Sequence, residues 1–129
     1  MNLQTSLTFL GKPERFDSFR YLLPSSDNFR FVYVFEHEDF PRVFICRSDL
    51  GSFLCLYCPN SPSKCFLYLQ LRNQHIKMLR NRRPIKEIIN SIHHFFLVNV
   101  QFDGVQIAHS QEKPSSYYGN YVIGFENII

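Results

Sequence analysis

Phe29-Arg30-Phe31-Val32-Tyr33-Val34-Phe35-Glu36 is apolar at six of its eight positions and contains no glycine, proline or alanine. A short aromatic and β-branched run with apolar residues on both faces predicts a strand covered from two sides. Three runs of the same kind follow, at Pro41 to Arg47, Ser52 to Tyr57 and Cys65 to Leu71. Pro41 sits at the first position of its run, where a strand best tolerates a missing amide donor. Ser48-Asp49-Leu50-Gly51 reads as a hairpin loop and Pro59 to Lys64 as a longer one, so the four strands form a meander.

Upstream, Pro24-Ser25-Ser26-Asp27-Asn28 reads as a loop. Glu14 to Leu23 fits a short helix or an irregular packed segment equally well, and Leu3 to Leu10 can form a short strand closed by Gly11-Lys12-Pro13. Downstream, Ile76 and Leu79 are spaced like one helix face, and Ile85, Ile88, Ile89 and Ile92 repeat as an amphipathic stripe. Pro84 suits the first turn of the second helix. Two short helices are expected at residues 73–81 and 84–94.

Asp103-Gly104 between Phe96–Phe102 and Val105–His109 predicts a type I′ hairpin, which would pair Phe102 with Val105, Val100 with Ile107 and Val98 with His109. That face is apolar except for His109, a candidate core histidine. Tyr117 to Glu126 alternates as a closing strand. The expected architecture is one α+β domain over residues 1–129, mostly antiparallel β, as a curved sheet or partly open barrel with the two helices inserted after the fourth strand.

The segment with Asp39, Pro41, Val43 and Phe44, followed by Leu50-Gly51, resembles a family of small uncharacterised bacterial domains. In that family an acidic residue and a proline open a hydrophobic strand, a hairpin follows, and a leucine-bearing strand runs into a short helix. The resemblance covers residues 30–92, and Glu38 and Phe40 depart from the pattern. It implies a fold and assigns no site.

Composition agrees with a packed β-rich globule. The 129 residues are 45% hydrophobic, with 14 Phe, 7 Tyr and a single alanine, Ala108. Such a chain is long enough to bury a core without staples, and its aromatics exclude a disordered chain. No apolar run approaches the roughly 20 residues of a membrane span, and no export signal is visible, so a cytoplasmic protein with reduced thiols is expected.

Charge is segregated. From Arg72 to Lys86 there are six basic residues, Arg72, Lys77, Arg80, Arg82, Arg83 and Lys86, and no acid, in a chain of net charge +3. The rest of the chain is therefore at −3, with an acidic group at Glu36, Glu38 and Asp39. A cationic bend between two helices favours an anionic partner. The favoured reading is a non-enzymatic docking module that uses these six residues on an acidic protein surface, with Ile76 and Leu79 as apolar anchors. The alternative is nucleic acid, its phosphates met by the same arginines and its bases stacked on Tyr117, Tyr118 or Tyr121.

Other chemistry has weaker signals. Cys55 and Cys58 have zinc-knuckle spacing, and Cys46 and Cys65 would complete four ligands. Residues three apart on a strand face opposite ways, however, which favours buried free thiols. Adjacent His93 and His94 point about 100° apart on a helix, against joint metal binding and in favour of a helix C-terminus that welcomes their charge. Glu36, His37, Glu38 and Asp39 could serve a small hydrolase or nuclease, although such groups in a turn are usually solvated. There is no phosphate-binding glycine loop, nucleophile elbow or metalloprotease helix, and no cofactor is expected.

Overall fold

A computed structural model of the chain describes residues 13–59, 64–113 and 122. The predicted strand Leu3 to Leu10 lies outside the described residues, as does the closing strand Tyr117 to Glu126 apart from Val122.

Six antiparallel strands form one sheet in sequence order: β1 (Arg30–His37), β2 (Pro41–Ser48), β3 (Gly51–Tyr57), β4 (Lys64–Leu71), β5 (Phe95–Gln101) and β6 (Gly104–Ala108). Among the described residues β1 and β6 do not pair, so the sheet is open rather than a closed barrel. Helices α1 (Asn73–Arg80) and α2 (Ile85–Ser91) are inserted between β4 and β5. A 3-10 segment at Pro13–Leu22, kinked at Phe16, precedes the sheet. It resolves the ambiguity of the Glu14 to Leu23 region, where closely spaced aromatics fill a surface that a regular amphipathic stripe would not.

The strands are apolar on both faces because both faces are covered. Val43, Ile45, Leu54, Leu56, Leu67, Leu69 and Leu71 point to one side, where they meet Leu79 of α1, Ile85 and Ile88 of α2, and Ile92. Phe44, Cys46, Phe53, Cys55, Phe66 and Tyr68 point to the other, where they meet Phe16, Leu22, Leu23 and Phe29. Period-two alternation in β2, β3 and β4 thus separates a mostly aliphatic face from a mostly aromatic one. Strand β1 is irregular, with register shifts at Phe31/Tyr33 and Val34/Glu36. These breaks let Phe31 and Val34, three apart, share the aromatic face.

Two details differ from the sequence expectations. The last hairpin pairs Gln101 with Gly104, Val100 with Val105 and Val98 with Ile107, so its loop is Phe102-Asp103. The register moves by one residue on each strand, which keeps Val98, Val100, Val105 and Ile107 on one face but leaves Phe102 fully exposed at the tip. Neither loop residue has positive φ; Gly104 takes it instead, at φ 138°. The β2–β3 hairpin repeats the device, with Asp49-Leu50 in the loop and Gly51 at φ 127°. His109 follows β6 and is exposed, its ring 6.5 Å from that of Phe96, so it is not a core residue.

The second difference is the length of the helices. α2 ends at Ser91, and Ile92 is extended at φ −98°, ψ 128°. Ile92 still packs in the aliphatic core, so the stripe marks burial beyond the helix itself. His93 and His94 therefore lie in the connection to β5, exposed, and do not cap a helix. Pro84 stands one position before the expected first turn, where its carbonyl accepts the Glu87 amide at 3.0 Å.

Candidate functional site

The cationic bend is built by two helix ends. α1 has no acidic residue in its first turn, and its N-terminus is closed by His75, whose Nδ1 accepts the Arg72 amide at 3.0 Å. On the other side of the ring, Nε2 lies 3.4 Å from the Ser91 carbonyl, which ties the start of α1 to the end of α2. Burial is the main cause that lowers the pKa of His75, with the nearby Arg72 charge acting in the same direction. The ring is thus held neutral, accepting at one nitrogen and donating at the other. Ser91 adds a hydrogen bond to the Met78 sulfur at 3.5 Å.

α1 stops in a Schellman arrangement. The Arg83 amide donates to the Met78 carbonyl at 3.1 Å and the Arg82 amide to the Leu79 carbonyl at 3.1 Å. Arg82 occupies the left-handed position of that motif, at φ 58°, where glycine is the usual residue. This turn ends α1 and places Arg80, Arg82 and Arg83 at the elbow. All six basic side chains, Arg72, Lys77, Arg80, Arg82, Arg83 and Lys86, belong to exposed residues. Arg83 pairs through Nε and Nη2 with Glu87, one turn on. That counter-ion lies just past the acid-free run, and its i, i+4 spacing made it readable in advance.

The apolar anchors need correction. Leu79 is completely buried in the aliphatic core, because it faces the sheet from the inner side of α1. Ile76 is half-buried and packs at the core margin, which leaves it the one predicted anchor with surface to offer. Behind the elbow, Pro84 forms an antiparallel bridge with Val122, and Lys113 donates to the Ile89 carbonyl at 2.7 Å. Residues late in the chain therefore support the helix pair from behind. Tyr117, Tyr118 and Tyr121 lie outside the described residues.

The acidic group is satisfied locally. Arg42 of β2 reaches Glu38 at 3.1 Å and Asp39 at 3.0 Å, while its guanidinium lies over the rings of Phe40 and Tyr57 at 4.8 and 5.2 Å. The hydrogen bond from Arg42 lowers the pKa of Asp39; desolvation, followed by the Glu38 charge, raises that of Glu36. Lys64 sits on Phe40 at 4.1 Å. His37 packs edge-on between Phe16 and Phe19, with a buried Nε2 that has no hydrogen-bond partner among the described residues. Nothing in this geometry aims the imidazole at the carboxylates.

The four cysteines are buried thiols, none in a disulfide. Cys46 and Cys55 belong to the aromatic face, Cys58 and Cys65 to the aliphatic face, so the sheet itself stands between the two pairs. A single four-thiolate site is sterically closed off. Among the described residues no group of three or more His, Cys, Asp or Glu is placed to hold a metal ion.

Fold and site together define a class: an α+β protein with an open six-stranded antiparallel sheet and a cationic helix pair between its fourth and fifth strands. No known protein family, curated protein or solved structure matches this chain. No helix among the described residues is long and apolar enough to cross a membrane.

Proposed function

We propose that this protein is a non-enzymatic docking module whose α1–α2 elbow meets an acidic surface on another protein. The observation that carries this reading is the exposure of all six basic residues between Arg72 and Lys86, which lie on α1, on α2 and on the residues that flank and join them, with both helices packed on the aliphatic core. Charge complementarity at such a surface sets the encounter rate and the orientation, and planar guanidinium groups add bidentate contacts to carboxylates. Ile76, beside the charges, supplies the apolar contact. A protein surface is preferred to nucleic acid because the segment from Arg72 to Lys86 contains no Phe, Tyr or Trp on which a base could stack.

The test is copurification from the native source with wild-type protein and with a combined Arg80→Ala, Arg82→Ala, Arg83→Ala variant. The expected result is a stoichiometric protein partner that the variant loses while its circular dichroism spectrum is unchanged. Retention of the partner by the variant rejects the elbow. Recovery of nucleic acid, with affinity falling steeply as salt rises, transfers the same residues to phosphate binding.

A further inference from the structure

We propose that Cys58 and Cys65 are a disulfide-forming pair that staples the loop end of the β3–β4 hairpin when a low-molecular-weight disulfide is present. The two residues continue the β3–β4 register one step beyond Tyr57 and Phe66, and the Cys58 amide donates to the Cys65 carbonyl at 2.9 Å. Directly opposed residues of this kind have Cα atoms about 5.5 Å apart, inside the roughly 4.4–6.8 Å window that a disulfide spans. Both side chains lie on the aliphatic face, where the Cys58 thiol donates to the Leu56 carbonyl at 3.6 Å.

The other pair makes the contrast. Cys46 and Cys55 have their sulfurs 3.5 Å apart, yet Cys46 is registered with Phe53 and Cys55 with Phe44. They are therefore diagonal neighbours, for which Cα separations of about 7–8 Å are normal, too long to bridge without moving the backbone. Cys46 and Cys55 also lie in the interior of strands β2 and β3, with no exposed surface, whereas Cys58 and Cys65 retain 2% and 3% exposure at the strand ends beside the connecting loop. Strand ends open more readily than strand interiors, so a small oxidant reaches the hairpin pair first.

The chemistry balances without metal or cofactor. During such an opening one cysteine loses its proton to water and its thiolate attacks the small disulfide, releasing one small thiolate and leaving a mixed disulfide. The second cysteine, likewise deprotonated, attacks the protein sulfur of that bond and releases the second small thiolate. Two electrons pass to the oxidant, which leaves as two thiols, and the protein gains one sulfur–sulfur bond. In the closed form the hydrogen bond between the two thiols and their burial keep Cys58 far above the ordinary thiol pKa, so the reaction rate follows the opening of the hairpin end.

The experiment treats the folded full chain with excess oxidised glutathione, blocks the remaining thiols and maps the cysteines by peptide mass. The expected product is a monomer that has lost two hydrogen masses, with Cys58 joined to Cys65, Cys46 and Cys55 alkylated, and a melting temperature higher by roughly 5–10 °C that reverts on reduction. Four alkylated cysteines, a Cys46–Cys55 link or an intermolecular link would each overturn the proposal. Cys58→Ser and Cys65→Ser variants are expected to lose the cross-link, and the wild-type map decides the matter even where a variant folds poorly.

Discussion

The two faces of the sheet are built from the same strands, yet they solve burial differently. The aliphatic face is closed by two regular helices that present Leu79, Ile85 and Ile88, branched side chains that interdigitate with Leu and Ile from the strands. The aromatic face is closed by a kinked 3-10 segment and two loop-borne residues, Leu23 and Phe29, over a lattice of edge-to-face and tilted rings. Phe44 lies at its centre, with ring centroids at 5.0 Å from Phe31, 5.6 Å from Phe66 and 6.2 Å from Tyr68. Large rings fill irregular space with few side chains, so their cover does not need helical periodicity. The helical cover can in turn carry a charged outer surface, since every apolar residue it needs is on the inside.

This contrast can be attacked at its centre first. Phe44→Ala is expected to destabilise by about 3–5 kcal/mol and Leu67→Ala by about 2–5 kcal/mol, both measured by urea unfolding. A markedly smaller loss at Phe44 would mean that the aromatic face relaxes around the cavity and is the softer of the two. Next in size is Tyr68→Phe. The Tyr68 hydroxyl donates to the Leu22 carbonyl at 3.2 Å and is the buried polar tie between the 3-10 segment and the sheet. Its removal should cost about 1–2 kcal/mol and should raise amide exchange in the 3-10 segment without affecting α1 or α2.

On the helical face, Arg82→Gly should stabilise by about 0.5–1 kcal/mol, because glycine takes the left-handed position without a Cβ penalty. The same change should weaken partner binding by removing one charge, so stability and affinity would move in opposite directions. The smallest effect is pH dependence at His75. Its folded pKa lies below the ordinary imidazole value, so the unfolded chain binds the proton more tightly. Stability contributed by the neutral ring is therefore fully present above about pH 6.5 and lost as pH falls through the folded pKa. A thermal-melt series from neutral to mildly acidic pH should show this decline, and His75→Gln should flatten it.

Much of this arrangement was legible in the residues. The runs ending at Glu36, Arg47, Tyr57 and Leu71 announced strands covered on both sides, and each became a strand within a residue or two of its expected ends. The basic elbow was visible as well, since fifteen residues with six basic groups and no acid stand out in a chain of low net charge, although Glu87 just past the run pairs with Arg83. Less visible was the pairing of Glu38 and Asp39 with Arg42, which depends on a turn bringing β2 back under the acidic residues. Nothing in the residue order set His75 apart from the other histidines; its role required α2 to return so that the Ser91 carbonyl could meet the ring. The type I′ expectation at Asp103-Gly104 failed because the glycine could serve equally well one position later, after a loop with negative φ.

Alternation of side chains along each strand is a local property, written in the order of the residues, and it determined that the sheet has two buried faces and, in the regular strands β2 to β4, which residues share each face. Which cover lies on which face, that Leu79 belongs to the core rather than to a partner, and that the cysteines fall into two pairs kept apart by the sheet were decided by the tertiary structure. The physical reason is that burial depends on what long-range folding brings opposite a side chain, and a sequence pattern records only which side chains need to be covered.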